Sequence, residues 1–272
     1  MVSQRIIGVV IIYEDLCVQS IGFNRFLPVG KPEIAVEYLN RYGIDEIVLL
    51  DITPSKKGKA TNFSLIRNAC SYANTPIAAG GGINSVDDVK KIIASGADKV
   101  VFNSACYLNP NVVKEAAKLF GSQAVVASID VRNKKSGVFE IYINGGSKRI
   151  NINLKEMIRN VSDLGVGEIF INSIDRDGSK KGFDLDLIEI LNTSSDLPTI
   201  ICGGAGSFED FLEPRMKDLS GIAAANIFHF TEHSAIVLKR YLKENRDDIR
   251  LETYANYKQH QFGVDKRLTA LD

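Results

Sequence analysis

Apolar residues along this chain fall into short runs, separated by stretches with helical spacing. In "RIIGVVIIYED" (Arg5–Asp15), six of the seven residues from Ile6 to Ile12 are apolar and the other is Gly8. A run without polar alternation reads as a strand covered on both faces, as in a parallel sheet. Further strands are expected at Glu46–Asp51, Pro76–Ala79, Lys99–Asn103, Ala124–Val131, Glu168–Ser173, Thr199–Cys202 and Gly221–Ala225. Between them the spacing predicts helices over Lys31–Tyr42, Asn62–Tyr72, Ser85–Ser95, Asn111–Leu119, Leu154–Leu164, Asp184–Leu191, Phe208–Lys217 and His233–Lys243. Ser85 and Ser207 supply N-cap chemistry. The phrases "GIDEIV", "SGADKVV" and "LGVGEIF" run from a Gly-marked helix end straight into a strand.

Eight strands, each followed by a helix at about 30 residues per unit, predict an α/β protein, a single (β/α)8 TIM barrel. An open doubly wound sheet is the rival, but no GxGxxG follows the first strand. The barrel is expected over residues 1–253, with half-barrels at about 1–120 and 121–245. A polar β-hairpin insertion is expected at about 133–150, after the fifth strand. The extension 254–272 falls outside the barrel count and reads as a packing arm, a partner contact or a disordered end, with the last favoured.

The chain repeats itself. "DITPSKKG" (Asp51–Gly58) and "DRDGSKKG" (Asp175–Gly182) lie 124 residues apart and share Asp, Ser, Lys, Lys and Gly in register. "GGGI" from Gly80 and "GGAG" from Gly203 lie 123 apart, as do Asn103 and Asn226. Three successive matches at nearly one offset predict two related half-barrels. All of them sit at C-terminal strand ends, where barrel sites are built. Glycines there let backbone amides approach an anion, and the following helix start favours negative charge. Gly81, Gly82, Asn103 and Ser104 would form one phosphate cradle; Gly204, Ala205, Ala225 and Asn226 would form a second. Isolated glycines could equally serve tight turns, but two symmetric cradles favour a substrate with a phosphate at each end.

Composition narrows the partners. With 33 basic and 33 acidic residues the formal net charge is zero, so no electrostatic hold on nucleic acid or membrane is expected. Four scattered cysteines and three histidines form no CxxC or HExxH pattern, so no metal and no cofactor is expected. With no signal-like start and no long apolar run, the protein is expected to be cytoplasmic.

The motifs "RII", "GIDEIVLLDIT", "GGGI", "GADKV", "FGSQAVVASID", "SIDRDGSKKGFD", "GGAG" and "IFHF" make the chain, from Arg5 to about Leu251, resemble the cyclase subunit family of imidazole glycerol phosphate synthase. The resemblance implies a barrel that forms a heterodimer with a glutaminase subunit and takes ammonia from it. It then adds the ammonia to a bisphosphorylated ribulosyl nucleotide, which is cyclised and cleaved. It implies Asp130, at the end of the fifth strand, as one of two catalytic aspartates; the partner position on the first strand holds Ile11. Glu14 and Asp15 follow in the loop, about 10 Å further along an extended chain. Gln19 stands where the family carries a substrate-contacting lysine. Asp51, Asn172, Asp177 and Gly178 belong to the implied substrate-binding set.

At the other end, the resemblance implies an ammonia gate of Arg5, Glu46, Lys99 and Glu168, with Asp98 at the glutaminase interface. The bland account is a set of surface ion pairs of little worth. Three readings follow. A diverged paralogue would pass ammonia to another phosphorylated acceptor, with a third, sugar-modifying enzyme building an amidino sugar for cell-surface polysaccharide. A histidine-pathway cyclase would have relocated its acid. A non-catalytic barrel would only conduct ammonia and activate the glutaminase.

Overall fold

The computed structural model describes residues 4–135, 137–229, 234–246 and 248–251, and the backbone of two short strands at 260–262 and 268–270. Eight strands form the barrel: β1 (Arg5–Tyr13), β2 (Glu46–Asp51), β3 (Ile77–Gly80), β4 (Lys99–Phe102), β5 (Val125–Lys135), β6 (Glu168–Ser173), β7 (Thr199–Cys202) and β8 (Gly221–Ala224). Each is parallel to its neighbours, β8 pairs with β1, and β5 pairs with β6, so the sheet closes. The expected (β/α)8 barrel is the observed fold.

The unbroken apolar run of β1 has the predicted reason. Ile6, Val10 and Ile12 belong to the layer between sheet and helices, whereas Ile7, Val9 and Ile11 belong to the barrel interior. Both faces are dry, and each such side chain contributes about 1.5–3 kcal/mol by burial. The interior set continues with Val48, Ala78, Val101, Val126, Phe170, Ile200 and Ala223. Outside, the helix Val86–Ala94 starts on a capping box in which Ser85 accepts from Asp88 N and Asp88 accepts from Ser85 N.

Three departures from the sequence expectation are informative. The helix expected over Phe208–Lys217 is instead two 3-10 segments, Glu209–Leu212 and Pro214–Asp218, because Pro214 cannot donate and starts a new turn. The first βα loop, for which no regular element was expected, is a β-hairpin of Leu16–Ile21 and Arg25–Gly30 that continues β1. The fifth strand, β5, runs on to Lys135 against Val138–Ile143, which pairs in turn with Lys148–Ile150. In the extension expected to be a disordered end, His260–Phe262 and Leu268–Ala270 pair antiparallel. The rest of 254–272 lies outside the described residues. The first residue of the helix expected at His233–Lys243 also lies outside them, and that helix spans Ser234–Asn245.

Candidate functional site

A cavity of about 690 Å³ opens at the C-terminal ends of the strands. Of the residues singled out from sequence, Ile11, Asp51, Gly81, Gly82, Asn103, Ser104, Asp130, Asn172, Asp177 and Ala225 line it. Gly178, Gly204 and Asn226 do not line this cavity.

Asp130 sits on the inward face of β5 and is 5% exposed. Its Oδ2 accepts from Asn103 Nδ2 at 3.1 Å, and the same amide also donates to Ser128 O at 3.1 Å. Burial pushes the Asp130 carboxyl up to about 7, against the lowering effects of Asn103, the Lys56 charge and Asn172. A carboxyl in that range exchanges protons readily near neutral pH, which is what general acid–base chemistry requires. Burial also raises the carboxyls of Asp51 and Asp177. Thr53 opposes the rise at Asp51; Ser20, Phe23 and Gly22 oppose it at Asp177.

In the closed strand order β1 lies opposite β5, and there the inward residue at the mouth is Ile11, 9% exposed. The next carboxylates turn away. Glu14 (φ 49°) and Asp15 (φ 66°) form the two-residue turn between Tyr13 and Leu16, with the left-handed geometry such hairpins use. Both are exposed. Glu14 faces Lys57 at 3.4 Å, and Asp15 accepts from Asn62 Nδ2 at 3.1 Å.

The first-loop hairpin is docked over the β6–β8 side of the mouth. Ser20 Oγ donates to Asp177 Oδ2 at 2.6 Å, Phe23 N to the same oxygen at 3.1 Å, and Gly22 N to Asp177 O at 3.1 Å. Asn226 Nδ2 donates to Ser20 O at 2.8 Å, while its buried Oδ1 has no partner. Gly178 and Asn226 are thus both in contact with the docked hairpin. A Cβ at Gly178 would meet Ser20 O at 2.7 Å. Alternation along the hairpin puts Ser20 on the cavity side and Gln19, paired with Leu27, on the other.

The glycines of the two proposed cradles share one construction. Gly81 (φ 125°) presses on Asp51 O and Gly204 (φ 113°) on Gly182 O; an added Cβ would lie 2.0 Å from either oxygen. Only glycine allows that approach. Ser20, Phe23 and Lys56 also line the cavity and were not singled out from sequence. The signal for Lys56 was present, since the repeat "SKKG" aligns it with Lys180.

The floor of the barrel is a closed ring of charge. Arg5 Nη1 meets Glu46 Oε2 at 2.5 Å and Arg5 Nη2 meets Glu168 Oε1, while Lys99 Nζ meets Glu46 at 2.9 Å and Glu168 at 3.0 Å. The two carboxylate side chains are only 3% and 8% exposed, so these are not surface pairs. Burial pushes Glu168 up, but the hydrogen bond and charge of Arg5 and the charge of Lys99 outweigh it and hold its carboxyl below the usual value. Asp98 is exposed beside this ring and accepts from Ile77 N at 2.8 Å through one oxygen. All four cysteines are free and buried, and no His, Cys, Asp and Glu grouping able to hold a metal occurs among the described residues. No described helix is long and apolar enough to cross a membrane.

The class is thus a (β/α)8 barrel with a ligand-sized mouth lined by the carboxyls of Asp51, Asp130 and Asp177 and a charged ring closing its floor. Residues 5–234 match the model of a family described as histidine biosynthesis protein. A Hydrogenobaculum protein named imidazole glycerol phosphate synthase subunit HisF is 40% identical over 253 residues, 92% of this chain and 100% of that protein. The Natranaerobius thermophilus protein of the same name is 39% identical with the same coverage. A Vibrio vulnificus protein provisionally named imidazole glycerol phosphate synthase subunit hisF2 is 32% identical over 94% of each chain. This chain belongs to the histidine biosynthesis protein family, within its group of imidazole glycerol phosphate synthase HisF subunits.

Proposed function

We propose that this barrel is the ammonia-receiving subunit of a glutamine-dependent synthase of the imidazole glycerol phosphate synthase type, and that it is a diverged paralogue. A separate glutaminase docks at the floor beside Asp98. Ammonia passes the ring of Arg5, Glu46, Lys99 and Glu168, crosses the apolar interior and reaches a phosphorylated acceptor other than the ribulosyl nucleotide. An amidino-sugar pathway, with a third enzyme using the ammonia, is the role we assign.

The observation that carries this reading is Ile11. Ring formation needs one group to donate a proton while another accepts, and two facing carboxyls of different proton affinity do this well. Asp130 supplies one such group, and the inward position across the mouth is aliphatic. Glu14 and Asp15 are committed to an exposed turn, which weighs against a relocated acid. Asp51 Oδ1 is engaged within its own loop, accepting from Thr53 N at 2.9 Å, and Asp177 holds the hairpin.

The test is to supply purified chain with ammonium salt and the ribulosyl substrate and to look for imidazole glycerol phosphate. None should form above the uncatalysed level. Turnover near that of an ordinary HisF subunit would establish the working-cyclase reading instead.

A further inference from the structure

Lys56 touches both hairpins that overhang the mouth. It lies in the short helical segment Thr53–Lys57 that follows β2, with its side chain half-buried against the cavity. Nζ donates to Phe23 O, in the turn of the first-loop hairpin, at 2.7 Å. It also donates to Gly145 O, in the turn of the fifth-loop hairpin, at 2.6 Å. The two turns meet beneath it, with the Phe23 ring against Gly146, where an added Cβ would lie 3.1 Å from the ring. The Phe26 ring centroid is 5.7 Å from the ammonium.

The charges around this ammonium are few. Asp130 attracts it from below, and Arg132, two residues further along β5, repels it. Asp130 in turn faces Asn103, Asn172 and Asp177. An ammonium has three donors, and two are taken by carbonyls, which leaves one for an oxygen of a ligand in the cavity. Gln19 brings no charge to this space.

We propose that Lys56 is the positioning residue of this mouth, a single ammonium that clasps both hairpins shut and supplies the positive charge facing Asp130. Opening either hairpin removes one of its two acceptors, so the hairpins open together. Withdrawal of the ammonium also leaves the Asp130 carboxylate without its cation, which ties closure of the mouth to the protonation of the buried carboxyl. The proposal rests on Asp130 being the reacting group of the proposed function, but its test needs neither acceptor nor glutaminase, so the two stand or fall separately.

The experiment compares the full chain with Lys56→Met and Lys56→Arg. Amide hydrogen exchange is followed across 16–30 and 138–150, and the Asp130 carboxyl is titrated by carbon NMR, with Asp130→Asn identifying its signal. In Lys56→Met, exchange should rise about tenfold in both hairpins together, the loss of one charge-assisted hydrogen bond from each. The Asp130 midpoint should rise by about one pH unit. Lys56→Arg should restore both properties. Exchange that rises in one hairpin only, or in neither, overturns the clasp; an unmoved Asp130 midpoint overturns its electrostatic half.

Discussion

The two ends of β1 face different chemistry. At the floor, Arg5 is held in a ring where both acids touch both bases, so every charge has two opposite neighbours. At the mouth, six residues later, Ile11 presents a butyl group to a cavity whose opposite wall carries one buried carboxyl. The floor is complete as an electrostatic unit, whereas the mouth sets an aliphatic side chain opposite Asp130. Under the proposed function, one barrel would keep the means of admitting ammonia while changing what happens to it.

Breaking the floor should destabilise the chain more than any other change considered. Glu168→Ala leaves Arg5 and Lys99 sharing Glu46 alone. The loss should be about 3 kcal/mol, the lower part of the range for breaking a buried pair, because the two cations stay 26% and 20% exposed. The midpoint of a urea unfolding curve measures it.

Breaking the mouth should have the opposite sign. The folded state holds the Asp130 proton up to about pH 7, well above the unfolded value. Its contribution is therefore full below the unfolded pKa and is lost as pH rises through about 7. Asp130→Asn should stabilise the chain by about 2–4 kcal/mol at pH 8, with little difference at pH 4. Unfolding curves at both pH values check this, and equal effects at the two would contradict a buried, protonated carboxyl.

Smaller changes probe the hairpin. Ser20→Ala removes the 2.6 Å bond to Asp177 and should cost the docked hairpin about 1.5 kcal/mol, read as faster proteolysis within 16–30. Glu14→Ala removes only an exposed pair and should change stability by less than about 0.5 kcal/mol, with no effect on the Asp130 titration.

The floor was legible in the sequence because its residues begin strands, and strand starts follow from runs such as "GIDEIV" and "GADKV". The cradle glycines were legible through the repeat. The first-loop hairpin was not, because "LCVQSIGFNRFLPVG" carries Pro28 and Gly30 within its second arm and looks like a connection. Lys56 was missed for a different reason. Its acceptors are backbone carbonyls 33 and 89 residues away, and any residue type offers a carbonyl, so no pattern of side chains announces them. Asn226 was read as a cradle residue from its repeat partner Asn103, and its contact with Ser20 O, which depends on the hairpin, was not legible.

The central claim is that β1 offers no carboxylate facing Asp130 across the mouth, Ile11 standing there instead, while the rest of the barrel remains able to use one. The most direct test reinstates it. Ile11→Asp, alone and with Gln19→Lys, is assayed with ammonium salt and the ribulosyl substrate for imidazole glycerol phosphate. A restored acid–base pair should raise product formation by at least about a hundredfold over the parent chain. Equal, negligible turnover in the parent and both variants, or full turnover in the parent, would contradict the account.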